Sequence, residues 1–251
     1  GTGGVGNVTV RYKLYANTLA NNWAQYNERH AFIGGPAAWM YLVGGKERAV
    51  RLVIETPVGW RVATAMTRLA EDTFAAADYD WFIDSPLEIS DYLEQTFEVD
   101  GTVYHMAVHD AMGREDFSRF MRDAKKTVEA VVPMYAAVTG GAGRPAPFAE
   151  YWFLIHVWPG TGGGLEHLNS TQINYSSDWD SERPRGRYAT EYMLKLFALS
   201  HEFYHAWNVK RLRPKELGPF DYSREVPTRS LWISEGLTSY YGAWRCCGRV
   251  C

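Results

Sequence analysis

The segment His201-Glu202-Phe203-Tyr204-His205 constrains this 251-residue chain more than any other. It falls within a stretch from about Thr190 to Lys210 that reads as a helix and stops before Pro214. On a helix, residues four apart share a face, with Cβ atoms about 5–6 Å apart. Two imidazoles so placed reach one zinc ion at bond lengths of about 2.0–2.1 Å. Glu202 sits beside them on the turn, where it can face a water on that ion without ligating it. A catalytic zinc takes a third protein ligand and keeps one position open. The chain must therefore bring another donor back to the same face. Trp232-Ile233-Ser234-Glu235-Gly236 lies on a further helix, expected to start near Pro227-Thr228 and to carry Leu231 to Tyr241. Glu235 follows His205 by thirty positions, enough for a loop and an antiparallel return. The plain alternative is two helix histidines in ordinary hydrogen bonds and a solvated carboxylate.

The rest of the chain divides by periodicity. Up to about residue 110 it reads mostly as β. Val8, Val10, Tyr12 and Leu14 alternate with polar residues, as on one face of a strand, and Ala49 to Ile54 forms a second strand stopped near Pro57-Val58-Gly59. Asp100-Gly101 between strand-like flanks predicts a hairpin. Phe117, Phe120, Met121, Ala124, Val128, Val131 and Val132 then follow helical spacing, and Pro133 is expected to end or kink that helix. Gly140 to Gly143 with Pro145 reads as a loop, Tyr151 to Trp158 as an apolar strand, and Pro159 to Gly164 as another loop. Leu165 to Tyr175 reads as one extended strand, and Asp178 to Arg187 as a polar surface loop. The expected fold class is α+β, with a β-rich part at 1–110 and an α/β part at 111–251.

Composition narrows the partners. Hydrophobic residues at 46% and charged residues at 22% exclude long disorder. A net charge of -3 argues against a nucleic-acid footprint. The longest clean apolar run, Ala37 to Val43, is far shorter than the roughly 18 residues that span a bilayer, so no membrane partner is expected. No signal peptide is expected in these residues, because no basic stretch precedes an apolar one. Cys246, Cys247 and Cys251 are the only cysteines, which excludes a disulfide framework and a zinc ribbon. The tail from Ala243 loses the apolar periodicity before it and reads as a truncated or out-of-frame end.

The resulting chemistry is metal-assisted hydrolysis of a peptide bond. Zinc (Zn2+) on His201, His205 and Glu235 would polarise the scissile carbonyl and lower the pKa of a water from about 15.7 toward about 7. Glu202 would take the water proton and pass it to the leaving amine. His30, His105, His109 and His156 lack ligand spacing and read as structural.

His201 to Pro214, reading HEFYHAWNVKRLRP, strongly resembles the signature of the glycyl aminopeptidase family of zinc metallopeptidases. Gly163 to Ser170, the W-x-x-E-G segment, Asp78-Tyr79-Asp80 and Asp84-Ser85-Pro86 resemble that family in the same order. The resemblance implies an N-terminal antiparallel β-domain, partial here, and a truncated thermolysin-like catalytic domain with a small sheet and zinc-binding helices. It also implies a C-terminal PDZ-like part, which is not expected within these residues. It implies a peptide substrate and release of small N-terminal residues such as Gly or Ala. Gly164 belongs to a Gly-rich approach that lets backbone lie close to substrate. By resemblance Glu166 would bind the substrate's free α-amino group; the alternative is a solvated strand-edge Glu. His167 is either a donor to the developing oxyanion or a satisfied structural His. Tyr240 and Tyr241 read as core aromatics, and Lys210 and Arg211 as charges at the C-terminal end of the helix dipole. An endopeptidase, and an incomplete fragment that only binds peptides, are the competing readings. A peptide deformylase also carries H-E-x-x-H, but its accompanying Cys ligand has no equivalent here.

Overall fold

The computed structural model describes residues 6–111, 113, 116–138, 146–176 and 190–250. The Gly140–Gly143 loop, the Asp178–Arg187 stretch, Cys251 and the side chains of Cys246 and Cys247 lie outside the described residues. The elements are β1 (Ala24–Tyr26), β2 (His30–Ile33), α1 (Gly35–Ala38), β3 (Val50–Val53), β4 (Arg61–Ala63), β5 (Thr67–Arg68), β6 (Thr73–Ala76), α2 (Tyr79–Ile83) and β7 (Leu87–Ser90). They continue as β8 (Leu93–Val99), β9 (Thr102–Asp110), α3 (Ser118–Val138), β10 (Glu150–Val157), β11 (Gly163–Glu166), β12 (Ser170–Tyr175), α4 (Glu191–Tyr204) and α5 (Leu231–Val250).

Two antiparallel sheets come first, in the orders β1-β2-β7-β4 and β3-β6-β5. A mixed five-stranded sheet follows, β11-β12-β10-β9-β8, in which β10 runs parallel to both β9 and β12. The fold is α+β. The hairpin β8–β9 turns at Asp100 (φ 50°) and Gly101 (φ 76°), the paired positive φ that a tight hairpin needs and that Asp-Gly supplies. Through the pairing of β9 with β10, residues 93–110 join the later strands, so the change of sheet falls between β7 and β8.

The five-stranded sheet is covered on both faces, which is why β10 is nearly all apolar. Tyr151, Phe153, Ile155 and Val157 point into a core closed by α3 and α4, where Phe120, Val128, Leu196 and Phe203 are buried. Trp152, Leu154 and His156 point the other way, toward the N-terminal sheets.

Four local expectations need correction. Residues 8–14 form no strand; Val8, Val10, Tyr12 and Leu14 are exposed, and among the described residues no strand pairs with them. Leu165 to Tyr175 is two strands, because the chain turns at His167–Asn169 and β11 folds back antiparallel on β12. Helix α3 does not end at Pro133, one of the two outcomes expected there; the proline faces solvent while Val131, Val132 and Tyr135 around it are buried. Packing on both sides of the proline outweighs the missing backbone donor. The helix that carries His201 ends at Tyr204, and 205–212 continue as hydrogen-bonded turns. Among the described residues no helix is long and apolar enough to cross a membrane.

Candidate metal centre

Helix α4 starts at Thr190, whose side chain accepts the Met193 N–H at 3.3 Å. Its apolar face, Tyr192, Leu196, Leu199 and Phe203, is pinned to the sheet, which turns His201 and His205 toward α5. Helix α5 packs alongside, with the Ser200 hydroxyl donating to the Gly242 carbonyl at 3.1 Å. This packing brings Glu235 onto the two rings.

His201 Nε2 and His205 Nε2 lie 3.0 Å apart, with Glu235 Oε2 at 3.3 Å from the first and 3.6 Å from the second. A tetrahedral zinc with bonds of about 2.0–2.1 Å separates its donors by about 3.3–3.4 Å, so the three atoms match that spacing. The rings cross at 85°, and two ring nitrogens face each other. His205 Nδ1 donates to the Asn208 carbonyl at 2.7 Å, which leaves its Nε2 lone pair free. Ser239 Oγ sits 3.4 Å from His201 Nδ1. Burial, and then the neighbouring His205, hold the His201 ring below its ordinary pKa, in the neutral form that ligates. These residues fit a divalent metal ion with nitrogen and carboxylate ligands.

Glu202 is 8% exposed, and its carboxylate, that of Glu166 and a ring nitrogen of His205 lie within 4.8 Å of one another. Burial pushes the Glu202 carboxyl up to about 8, with Glu166 and Glu235 adding negative charge. Gly164 faces it on β11: an added Cβ would press into the Glu202 carboxylate, so only glycine lets strand and side chain approach this closely. The Gly164 carbonyl accepts from Asn21 Nδ2 at 2.6 Å. β11 is an edge strand of the five-stranded sheet.

His167 is buried, and its Nδ1 pairs with Asp84 Oδ1 at 3.0 Å. Asp84 also accepts from Lys210 Nζ at 2.8 Å and from the Leu168 N–H at 2.8 Å. Burial opposes its charge, but Lys210 and His167 outweigh that and hold the carboxyl below its ordinary range. Lys210 thus binds Asp84, whereas Arg211 donates to the Ala206 carbonyl at 2.6 Å, near the end of α4. Tyr241 stacks on Tyr204, but Tyr240 is 65% exposed and is no core residue.

Sequence reasoning missed two positioning residues. Asn208 receives His205 through its carbonyl. Its side-chain Nδ2 donates to the Ser234 carbonyl at 3.1 Å and Thr238 Oγ1 at 3.0 Å, tying the turn after α4 to the helix that carries Glu235. Asp84 anchors the turn that follows Glu166. The placement of Asn208 three residues past His205 was the available signal for the first; Asp84 stood in the family-like Asp84-Ser85-Pro86 segment, but nothing there pointed to its partners.

A family model of the M61 glycyl aminopeptidase matches residues 194–248, and one of the peptidase M61 N-terminal domain matches residues 2–91. A solved structure, that of an aminopeptidase N family protein from Idiomarina loihiensis, is similar at a TM-score of 0.81 and 29% identity. The match covers 92% of this chain and 39% of that one, so the chain spans about two-fifths of that relative's length. No curated protein matches the chain. With both M61 models in place and the same backbone over nearly its whole length, the chain belongs to the M61 glycyl aminopeptidase family.

Proposed function

We propose that this chain carries the centre of a zinc-dependent aminopeptidase. The observation that supports it most directly is the convergence of His201 Nε2, His205 Nε2 and Glu235 Oε2 at 3.0–3.6 Å from one another, beside a buried Glu202. Zinc held there supplies a Lewis acid that polarises the scissile carbonyl and acidifies water. Glu202, buried beside the three ligand atoms, would accept the proton of the attacking water and return it to the leaving amine. Glu166 stands where a substrate's α-ammonium would meet a carboxylate, fixing the register at one residue from the end. The open edge of β11 offers backbone groups to an extended peptide. The family resemblance makes Gly and Ala the expected first residues.

The test is zinc content together with turnover of Gly- and Ala-linked chromogenic amides, before and after chelation. One zinc per chain, and hydrolysis of free but not acetylated N-termini, is the expected result. Equal hydrolysis of blocked substrates would make the protein an endopeptidase. Zinc without turnover of either would remove the peptidase assignment and leave a peptide-binding module.

A further inference from the structure

Glu166 makes no side-chain hydrogen bond or ion pair among the described residues. Its carboxylate and that of Glu202 lie within 4.8 Å of each other, and like charges that close repel. The side chain therefore does not hold itself in place; the backbone of β11 must hold it. Among the described residues β11 is paired on one side only, with β12. On that side the Thr171 hydroxyl donates to the Leu165 carbonyl at 2.9 Å, and the His167 N–H donates to the Ser170 carbonyl at 2.9 Å.

The N-terminal β part holds the same strand at two further points. Asn21 Nδ2 donates to the Gly164 carbonyl at 2.6 Å, shortly before Glu166. Asp84 accepts from the Leu168 N–H at 2.8 Å and from His167 Nδ1 at 3.0 Å, just after it. Both groups are themselves fixed. The Trp23 N–H donates to the Ala20 carbonyl at 3.1 Å and closes the turn that presents Asn21. Asp84 ends α2, whose start is capped by Asp78 accepting the Trp81 N–H at 2.7 Å. Gly35 lets α1 lie against the Ile83 carbonyl beside Asp84, where an added Cβ would collide. Behind this, Lys210 Nζ donates to Asp84 at 2.8 Å, and Arg211 donates to the Leu168 carbonyl at 2.7 Å and to Asn169 Oδ1 at 2.8 Å. The turn after Glu166 is thereby joined to the end of α4 as well.

We infer that Asn21 and Asp84 are positioning residues for the substrate: the N-terminal β part clamps β11 from both ends and so places Glu166 where it meets the α-ammonium. The inference rests on the aminopeptidase reading of the site and adds a division of labour to it. The metal ligands stand on the α4 segment and α5, whereas the amine-binding carboxylate stands on a strand whose place depends on the N-terminal part. Loosening the clamp costs ligand affinity and leaves metal affinity nearly as it was.

The test compares those two affinities in one set of variants. Glycinamide is titrated by NMR into the metal-free chain, and zinc affinity is read separately by competition with a chelator. Asn21→Ala should raise the Kd for glycinamide about three- to tenfold. Asn21→Asp should raise it further, since a carboxylate of the same shape would face the Gly164 carbonyl. Asp84→Asn should raise it at least about tenfold, because it removes an acceptor of charge-assisted hydrogen bonds. Zinc affinity should stay within about threefold in all three, as neither residue touches a ligand. Backbone amide exchange should quicken at residues 164–168 and not in α5. Asn21 lies in a half-buried turn, so its two variants decide the matter if Asp84→Asn does not fold. Zinc and glycinamide affinity lost together would make these residues general supports of the fold and overturn the inference. Glycinamide binding unchanged in the Asn21 variants would overturn it too, with the aminopeptidase reading left standing. If the unaltered chain bound no glycinamide, the amine site itself would fail and the inference would fall with it.

Discussion

Among the described residues, a second cluster of histidine and carboxylate stands apart from the one at the end of α4, and the two differ in geometry. At the end of α4, His201 and His205 cross at 85° with both Nε2 atoms turned to one point, and Glu235 meets them there with 48% of its side chain exposed. Between the N-terminal and five-stranded sheets, His30, His109, His156 and Glu88 are sealed from solvent. Glu88 Oε2 is shared by His156 Nε2 at 2.9 Å and His30 Nδ1 at 3.3 Å, and Oε1 accepts from Ser90 at 2.7 Å. His30 Nε2 meets Gln25 Oε1 at 2.7 Å, and His156 Nδ1 meets Asn174 Oδ1 at 3.0 Å. His109 stacks on His30 at 4.2 Å with the rings 1° from parallel. An imidazole ligates through a lone pair in its own plane, so no single ion lies in the planes of both stacked rings. Ligand atoms within reach of one another are therefore not enough. Ring direction and an uncommitted lone pair separate a metal centre from a buried hydrogen-bond network that joins two sheets.

Substitutions can break that distinction. Glu202→Gln should cut turnover by at least ~10²–10⁴-fold while zinc content stays at one per chain. Undiminished hydrolysis would remove Glu202 from the chemistry. Glu88→Ala should leave zinc content unchanged and lower stability by about 3–5 kcal/mol in denaturant unfolding, because it strands buried imidazoles without their shared acceptor. If it emptied the metal centre in the folded protein, the two clusters would not be independent.

The difference between the clusters also marks what could be read from residues alone. H-E-x-x-H and the later Glu235 were legible because helical spacing places two rings on one face and a helix return brings the third group. Asp100-Gly101 and the apolar face of α3 were legible because their signals are local. Val8 to Leu14 alternate as a strand does, yet among the described residues no strand pairs with them. The turn at His167–Asn169 is held by Asp84, more than eighty residues away in the chain. The Glu88 network likewise joins residues from six strands of two sheets. Neither has a spacing to recognise, since tertiary pairing alone brings the partners together.

Two buried groups, His109 in one cluster and Glu202 beside the other, should respond to pH in opposite senses in the metal-free protein. Burial pushes His109 down to about 4 from its ordinary 6.5, and the nearby His30 and His156 act in the same direction. The unfolded chain then takes up a proton that the folded one refuses. Stability present above about pH 6.5 is lost as pH falls toward 4. For Glu88 burial opposes the charge, but His156 and His30 hold the carboxyl well below its usual range, so its contribution is lost at still lower pH. Glu202, raised from 4.5 to about 8, keeps a proton that the unfolded chain releases. The stability it provides is complete below about pH 4.5 and is lost as pH rises through 8. Each limb amounts to a few kcal/mol at most. Burial also lowers His201, which adds to the acid limb. Unfolding midpoints measured from pH 4 to 9 should show Glu202→Gln flattening the alkaline limb and His109→Asn making the acid limb shallower. An unchanged profile in either variant would detach that limb from its residue.

The smallest expected effect separates a ligand from what holds it. Asn208 touches no metal position, yet its carbonyl fixes the tautomer of His205 and its amide ties down the helix bearing Glu235. Partners of this kind typically change metal affinity about 10–100-fold when replaced. Asn208→Ala keeps the backbone carbonyl and removes only the tie to Ser234 and Thr238, so its effect should fall near the lower end, about tenfold. Competition with a zinc chelator measures it. The same replacement should leave the acid limb of stability alone, because nothing in the Glu88 network touches that turn. Zinc affinity equal to the unaltered chain's would mean that α4–α5 packing alone places Glu235, with Asn208 serving only as the acceptor for the ring.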